Sequence, residues 1–296
     1  MGRLLAVLLA ASCGLAAAAQ GPTFRAGVDM ATFGVTVLDR KNELVMGLTE
    51  DDFEIIEDGR RQTIAVFSRG DGDAVPLHLG LLLDTSGSMD KDLSLARTAA
   101  IKFLNLLPEA EDITLVDFDT EVRVTRYPQR DFARLVERIR MRKPDGWTAL
   151  YDALGVYLDG ADLQAGRKVL VMYSDGGDTR STISYGDVLT LLKASQATLY
   201  VVGLTEHTGS YRTEFRMRMQ QMAESTGGTT VYPSTVKDLD AAYEKVLAEI
   251  RAQYTVGYIS TNTAQDGAWR RVEIKVKRPG VKIRSRKGYF APYRSN

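Results

Sequence analysis

Near residue 76 the hydrophobic period of this chain changes, and with it the set of folds open to it. Leu77 to Leu83 is apolar except for His78 and Gly80, and it stops at Asp84. A continuous run of this length suits a strand buried on both faces. Similar runs stand at Ile113 to Phe118, Val169 to Tyr173 and Thr198 to Gly203, with shorter strand signals at Val122 to Arg126 and Thr229 to Tyr232. Between them the period is helical. Asp90 to Leu107 carries Leu93, Ala96, Ala100, Phe103 and Leu107 on one stripe and is closed by Pro108. Further helices are expected at Phe132 to Arg140, Ala149 to Leu158, Tyr185 to Ser195, Arg212 to Glu224 and Val236 to Ala252. Strands alternating with helices imply an α/β fold: a doubly wound, mostly parallel, Rossmann-like sheet that binds ligands at the C-terminal ends of its strands.

The flanks read differently. Short strands punctuated by turn residues are expected at Thr32 to Leu38, Phe53 to Glu57 and Thr63 to Phe67, and again at Tyr254 to Ser260, Trp269 to Lys277 and Val281 to Arg286. Val272, Ile274 and Val276 alternate with Arg271, Glu273, Lys275 and Lys277, the period of a half-buried antiparallel strand. Neither flank has strands enough to bury a core, so the two together are expected to form one β-sandwich around the α/β unit. The expected division is therefore residues 1–19, 20–75, 76–253 and 254–296. Charge follows it: Glu43 to Asp58 holds seven acidic residues and no basic one, and Arg270 to the C-terminus holds ten basic residues and one acidic. Surface pairs between these segments would contribute about 0–1 kcal/mol each.

Residues 1–19 resemble a secretory signal peptide, with Arg3, an apolar Leu4 to Ala11 and a small-residue site at Ala17-Ala18-Ala19. The run is too diluted by alanine for a membrane span. An exported protein, periplasmic or secreted, is expected; a lipobox-like Leu9-Ala10-Ala11-Ser12 before Cys13 offers a lipoprotein as the alternative. No later stretch is apolar and long enough to span a bilayer.

Composition removes several functions. With one Cys and two His, zinc has too few N/S ligands, and Lys+Arg 38 against Asp+Glu 38 leaves no excess of positive charge for nucleic acid. Any metal must be held by oxygen. Two apolar strands do run into oxygen-rich sequence: Asp84-Thr85-Ser86-Gly87-Ser88 and Ser174-Asp175-Gly176-Gly177-Asp178, with Thr148 at the start of a helix between them. The hydroxyls of Ser86, Ser88 and Thr148 with the carboxylates of Asp84 and Asp175 form a hard-donor set suited to Mg²⁺, Mn²⁺ or Ca²⁺. Gly87 is expected to give a turn tight enough to aim both serines at one point.

Asp84-x-Ser86-x-Ser88, then Thr148, then Asp175-Gly176 resembles the metal-ion-dependent adhesion site (MIDAS) of the von Willebrand factor type A domain, a fold shared with integrin I domains. The flanks resemble those of bacterial von Willebrand factor A-related proteins, through Gly47-Leu48-Thr49, Glu57-Asp58-Gly59, Trp269-Arg270 and Arg286-Lys287-Gly288-Tyr289. The resemblance implies that Ser86 and Ser88 ligate a divalent cation directly, with Mg²⁺ favoured. Thr148 would ligate directly or through water, and Asp84 and Asp175 would act largely through waters and hydrogen bonds. It further implies a non-enzymatic adhesion module in which an Asp or Glu of a partner protein completes the coordination. Integrin-type domains also suggest an axial shift of the last helix, Val236 to Ala252, which leads straight into the strand at Tyr254; the competing reading is a rigid adaptor.

Two rivals bear on the same region. Asp117-Phe118-Asp119-Thr120 after an apolar strand resembles the nucleophile motif of haloacid dehalogenase-like phosphatases, which makes a Mg²⁺-dependent hydrolase the alternative function. A strand at Val122 to Arg126 argues against it, since a hairpin would stand where that family needs a loop and cap. A serine hydrolase has no G-x-S-x-G elbow to rest on. His78 is expected as a packed or hydrogen-bonded core residue and His207 as a loop residue.

Overall fold

The computed structural model describes residues 30–70, 76–107 and 109–293. The segment expected to be a signal peptide, with Cys13, and Pro108 lie outside them. The N-terminal flank supplies β1 (Met30–Leu38), β2 (Phe53–Glu57), β3 (Arg60–Gln62) and β4 (Ile64–Ser68). The central unit follows as β5 (Leu77–Asp84), α1 (Leu93–Asn105), β6 (Asp112–Phe118), β7 (Val122–Pro128), α2 (Phe132–Met141), α3 (Leu150–Asp162), β8 (Arg167–Ser174), α4 (Tyr185–Ala194), β9 (Thr198–Gly203), α5 (Arg212–Ser225), β10 (Thr230–Val231) and α6 (Val236–Ala252). The C-terminal flank adds β11 (Tyr254–Ile259), β12 (Trp269–Val276), β13 (Lys282–Arg284) and β14 (Gly288–Phe290).

The central sheet has the order β10-β9-β8-β5-β6-β7, parallel throughout except for the edge strand β7. Alternate residues of β5 serve opposite faces. Leu79, Leu81 and Leu83 pack with α1, α2 and α6, and Leu82 packs with α3, α4 and α5. Gly80 also faces the second layer, where a Cβ would stand 2.2 Å from the Tyr157 ring. A side chain at that position would push α3 off the sheet. The expected helix from Asp90 starts only at Leu93, because Gly87–Met89 forms a 3-10 turn held by Met89 N–H donating to Ser86 O at 3.1 Å. No helix among the described residues is long and apolar enough to cross a membrane.

The flanks meet. One antiparallel sheet has the order β13-β1-β11-β4 and the other β14-β12-β2-β3, so each mixes strands from both ends of the chain. Pairing runs from Met30↔Ile259 to Val35↔Tyr254 in the first and from Val272↔Glu57 to Val276↔Phe53 in the second. Phe33, Val35, Ile55, Tyr254, Val256, Tyr258 and Val272 share the core between them. Beside it the buried Glu57 carboxylate accepts from Tyr258 OH at 2.5 Å, Ser260 Oγ at 2.5 Å and Tyr289 OH at 2.9 Å. These bonds tie the two sheets without an opposite charge. The acidic and basic segments do lie together, yet Lys275, opposite Glu54 in the register, has its ion-pair contact with Glu273 at 3.6 Å. The strands β3 and β14 are additions to the expected set, each only three residues long and so without a readable period.

Because both layers of the central sheet bury cores of their own, residues 76–253 are expected to fold as an isolated chain, whereas residues 20–75 alone are not. Thermal unfolding followed by circular dichroism checks both; a cooperative transition in the isolated N-terminal segment would contradict the division of the chain.

Candidate metal site

The site stands where the strand order reverses. β5 continues to β6 on one side and pairs with β8 on the other, with Leu83 opposite Tyr173, so that Asp84 and Ser174 end adjacent strands at the switch point. Asp84 is fully buried and doubly engaged. Its Oδ1 accepts from Ser86 Oγ at 2.6 Å and from Ser86 N–H at 3.0 Å, and its Oδ2 accepts from Ser174 Oγ at 2.6 Å. Ser86 Oγ lies 3.0 Å from Ser88 Oγ. Ser88 is exposed, so a path to solvent runs over that hydroxyl.

Asp175 is 5% exposed and its Oδ1 accepts from Gly177 N–H at 2.9 Å. Burial, and next the nearby Asp175 carboxylate, push the Asp84 carboxyl up to about 7, against the lowering effect of its serine hydrogen bonds. Two buried carboxylates that repel one another favour a positive charge beside them. A hard cation beside them would offset both the desolvation and the repulsion. Among the described residues no group of three or more His, Cys, Asp or Glu gathers at metal-binding distance. A cation here must therefore take hydroxyl oxygens, which is what Ser86 and Ser88 present. The donor chemistry fits Mg²⁺, Mn²⁺ or Ca²⁺.

Thr148 is also buried, at 4% exposure. Its N–H donates to Thr179 Oγ1 at 3.0 Å and its carbonyl accepts from Thr179 and Arg180 N–H groups at 2.9 and 3.0 Å, which ties its loop to the one that follows Asp175. The same loop is tied to the first: Asp145 N–H donates to Thr85 O at 2.9 Å and Gly87 N–H to Gly146 O at 3.1 Å. All five expected residues thus lie on three mutually hydrogen-bonded segments at the C-terminal end of the central strands. Gly87 has a different role from the one expected of it. It is not among the positive-φ residues, and a Cβ there would meet Gly146 O at 3.2 Å, so it allows the close approach of the Thr148 loop rather than a special turn.

Ser174 is the residue sequence reasoning left without a role. It accepts from Gly176 N–H at 3.0 Å while donating to Asp84, and so orients both acidic loops. The signal was its position, the last residue of a buried strand next to Asp84. His207 is more than a loop residue: its Nδ1 lies 2.9 Å from Oδ2 of the buried Asp92, joining the loop after β9 to the segment before α1. His78 is buried as expected, with Nδ1 3.1 Å from Asp112 Oδ1 and Nε2 2.9 Å from Ala165 O.

The phosphatase-like motif is occupied by arginine. Asp117 accepts from Arg123 Nε at 2.7 Å, is ion-paired with Arg142 and lies 3.5 Å from Arg138, while Asp119 pairs with Arg123 at 2.5 Å. Neither carboxylate is poised as a nucleophile, and β7 pairs antiparallel with β6 directly after them.

A model of the von Willebrand factor type A domain family matches residues 79–177. Among solved structures, the pilus adhesin SpaC of Lactobacillus rhamnosus GG is similar with a TM-score of 0.50 and 10% identity, over 84% of this chain and 49% of that one. The PilB minor pilin of Streptococcus sanguinis gives 0.48 and 16%, over 61% of this chain and 62% of that one. A von Willebrand factor type A protein from Catenulispora acidiphila gives 0.47 and 13%, over 92% and 76%. The chain therefore spans less than two thirds of the length of either pilus protein, and at these identities the likeness is one of fold. A search of curated proteins finds no significant match. The family match begins inside β5 and ends just past Asp175, enclosing every residue of the candidate metal site: over residues 79–177 the α/β unit matches the von Willebrand factor type A domain.

Proposed function

We propose that this protein is an exported, metal-dependent protein-binding module that captures an Asp or Glu side chain of a partner at the Ser86–Ser88 site. The observation that carries the reading is the buried Asp84 carboxylate, held by Ser86 and Ser174 and facing the Asp175 charge, beneath an exposed Ser88 hydroxyl. A bound divalent cation, Mg²⁺ by preference, would supply a coordination position open to an incoming carboxylate. Ser86, Ser88 and Thr148 would hold that cation with neutral oxygens, so its charge would be only partly cancelled by the protein. Asp84 and Asp175 would balance it from behind, and Ser174 would fix the orientation of Asp84. SpaC is by its description a pilus adhesin, which agrees with an adhesive use of such a unit. The arginine contacts of Asp117 and Asp119 give the phosphatase alternative no support.

A pull-down from envelope extract in Mg²⁺ and in EDTA, repeated with Ser86→Ala, tests the reading. A partner is expected in Mg²⁺ with the wild type only. Equal recovery in all three arms would mean that the metal site is not the binding site.

A further inference from the structure

We infer that the cavity between the central unit and the sandwich is a second binding site, for a small organic carboxylate, with Arg167, Lys168 and Gln196 as its recognition residues. The cavity has a volume of about 330 Å³, at the lower end of the range for small-molecule sites. It stands at the N-terminal ends of β8 and β9, the opposite end of the central strands from Asp84 and Ser174, and its other walls are β1 and β11. The serine loop has no part in it.

The charged lining is of one sign. Arg167 and Lys168 line the cavity, and among the described residues no Asp or Glu does so. Acidic side chains on adjoining elements are ion-paired with other arginines: Asp112 with Arg126 at 2.8 Å, Glu109 with Arg251 at 2.8 Å and Glu249 with Arg284 at 2.5 Å. The Arg167 guanidinium donates to a neutral acceptor, Ile250 O, and burial holds it below its usual range. Lys168 is only 6% exposed. An anion in the cavity would offset this desolvation through charge-assisted hydrogen bonds.

Neutral groups complete the walls. Gln196 Oε1 accepts from Thr32 Oγ1 at 2.9 Å and from Lys168 Nζ at 3.4 Å, which leaves the Gln196 amide nitrogen without a partner among the described residues. The buried Gln253 donates from Nε2 to Thr198 Oγ1 at 3.3 Å and fills the space that a side chain at position 34 would need: a Cβ on Gly34 would stand 2.8 Å from Gln253 Cδ. Met30 and Phe33 add apolar lining, which the carbon body of an organic acid covers and inorganic phosphate does not. Met30, Ala165 and Gln196 are exposed, so a ligand can enter from solvent.

Calorimetric titration of the full protein tests this, after the protein has been stripped of metal with a chelator and dialysed so that no cation at Ser86 and Ser88 takes a carboxylate. The probes are succinate, malate, the neutral diamide succinamide and inorganic phosphate. Succinate or malate is expected to bind saturably, with succinamide and phosphate about ten-fold weaker or more. Lys168→Met should weaken the carboxylate about ten-fold, and Gln196→Ala, an exposed change that leaves the core intact, several-fold. Amide NMR shifts during the titration are expected at residues 32–34, 165–168 and 253–255. No saturable binding of either carboxylate, equal binding of succinamide, tighter binding of phosphate, full affinity in both variants, or shifts confined to residues 84–88 would each overturn the inference.

Discussion

Mg²⁺ at about a hundredfold excess over its dissociation constant is expected to stabilise the protein by about 2.7 kcal/mol, and Asp84→Ala is expected to remove that increment. In a chain of this size the gain corresponds to a rise in melting temperature of about 4–5 °C. The reason for choosing Asp84 is its double engagement: without it Ser86 and Ser174 lose the acceptor that aims their hydroxyls, and the Asp175 charge loses the neighbour that makes a cation favourable. Ser86→Ala should also reduce the increment, by taking away one donor and leaving the charges. Scanning fluorimetry in EDTA and in millimolar Mg²⁺ measures both. Identical melting of the wild type in the two conditions would sink the metal site, as would an undiminished Mg²⁺ effect in Asp84→Ala.

The second large effect is expected far from the site, where α6 meets the sandwich. Glu249 is 2% exposed and its carboxylate accepts from the Arg284 guanidinium at 2.5 Å, across the boundary between α6 and β13. Arg284→Ala leaves that carboxylate buried without its cation, at a cost of about 3 kcal/mol. The double variant Glu249→Leu with Arg284→Met should lose much less, because no buried charge is stranded. A urea midpoint about 1 M below wild type for the single variant, partly restored in the double, is the expected pattern. An unchanged midpoint for Arg284→Ala would show that the pair is not a clamp. Arg286 also crosses from the sandwich to the central unit, donating to Ser195 O at 3.3 Å, and Arg167 ties the end of the helix to β8 by donating to Ile250 O. With a single residue, Gln253, between α6 and β11, the end of the helix is fastened to the sandwich. This arrangement favours the rigid-adaptor reading of α6 over a free axial shift.

Much of the fold was legible because its signals are local. Continuous apolar runs at β5, β6, β8 and β9, and a helical stripe between each pair, are properties of neighbouring residues, and Phe53–Glu57, Thr198–Gly203 and Val236–Ala252 have the bounds expected of them. Where the reading slipped, a competing local force had won. Asp90 to Asp92 were expected to open the helix whose apolar stripe starts at Leu93, yet their backbone follows the 3-10 turn of the serine loop, with Asp90 N–H donating to Gly87 O and Asp92 N–H to Met89 O. β14 was overlooked because Gly288–Phe290 has no period to read and owes its extension to pairing with β12, Trp269↔Phe290 to Arg271↔Gly288.

The candidate site divides along the same line. The sequence by itself determined the donor chemistry: with so few His and Cys, only oxygen ligands were open, and the five residues Asp84, Ser86, Ser88, Thr148 and Asp175 could be named from their places at the ends of strands and the start of a helix. It also determined that neither flank could close a core alone. What tertiary structure decided was every contact between residues far apart in the chain: that Ser174, 90 residues on, donates to Asp84; that Gly87 makes room for Gly146; that Arg123 and Arg142 neutralise Asp117; and that Glu249 finds Arg284. The physical reason is range. Propensity and hydrophobic period act over a few residues, whereas the hydrogen bonds and charges that orient a ligand set depend on which strand ends the sheet order places side by side.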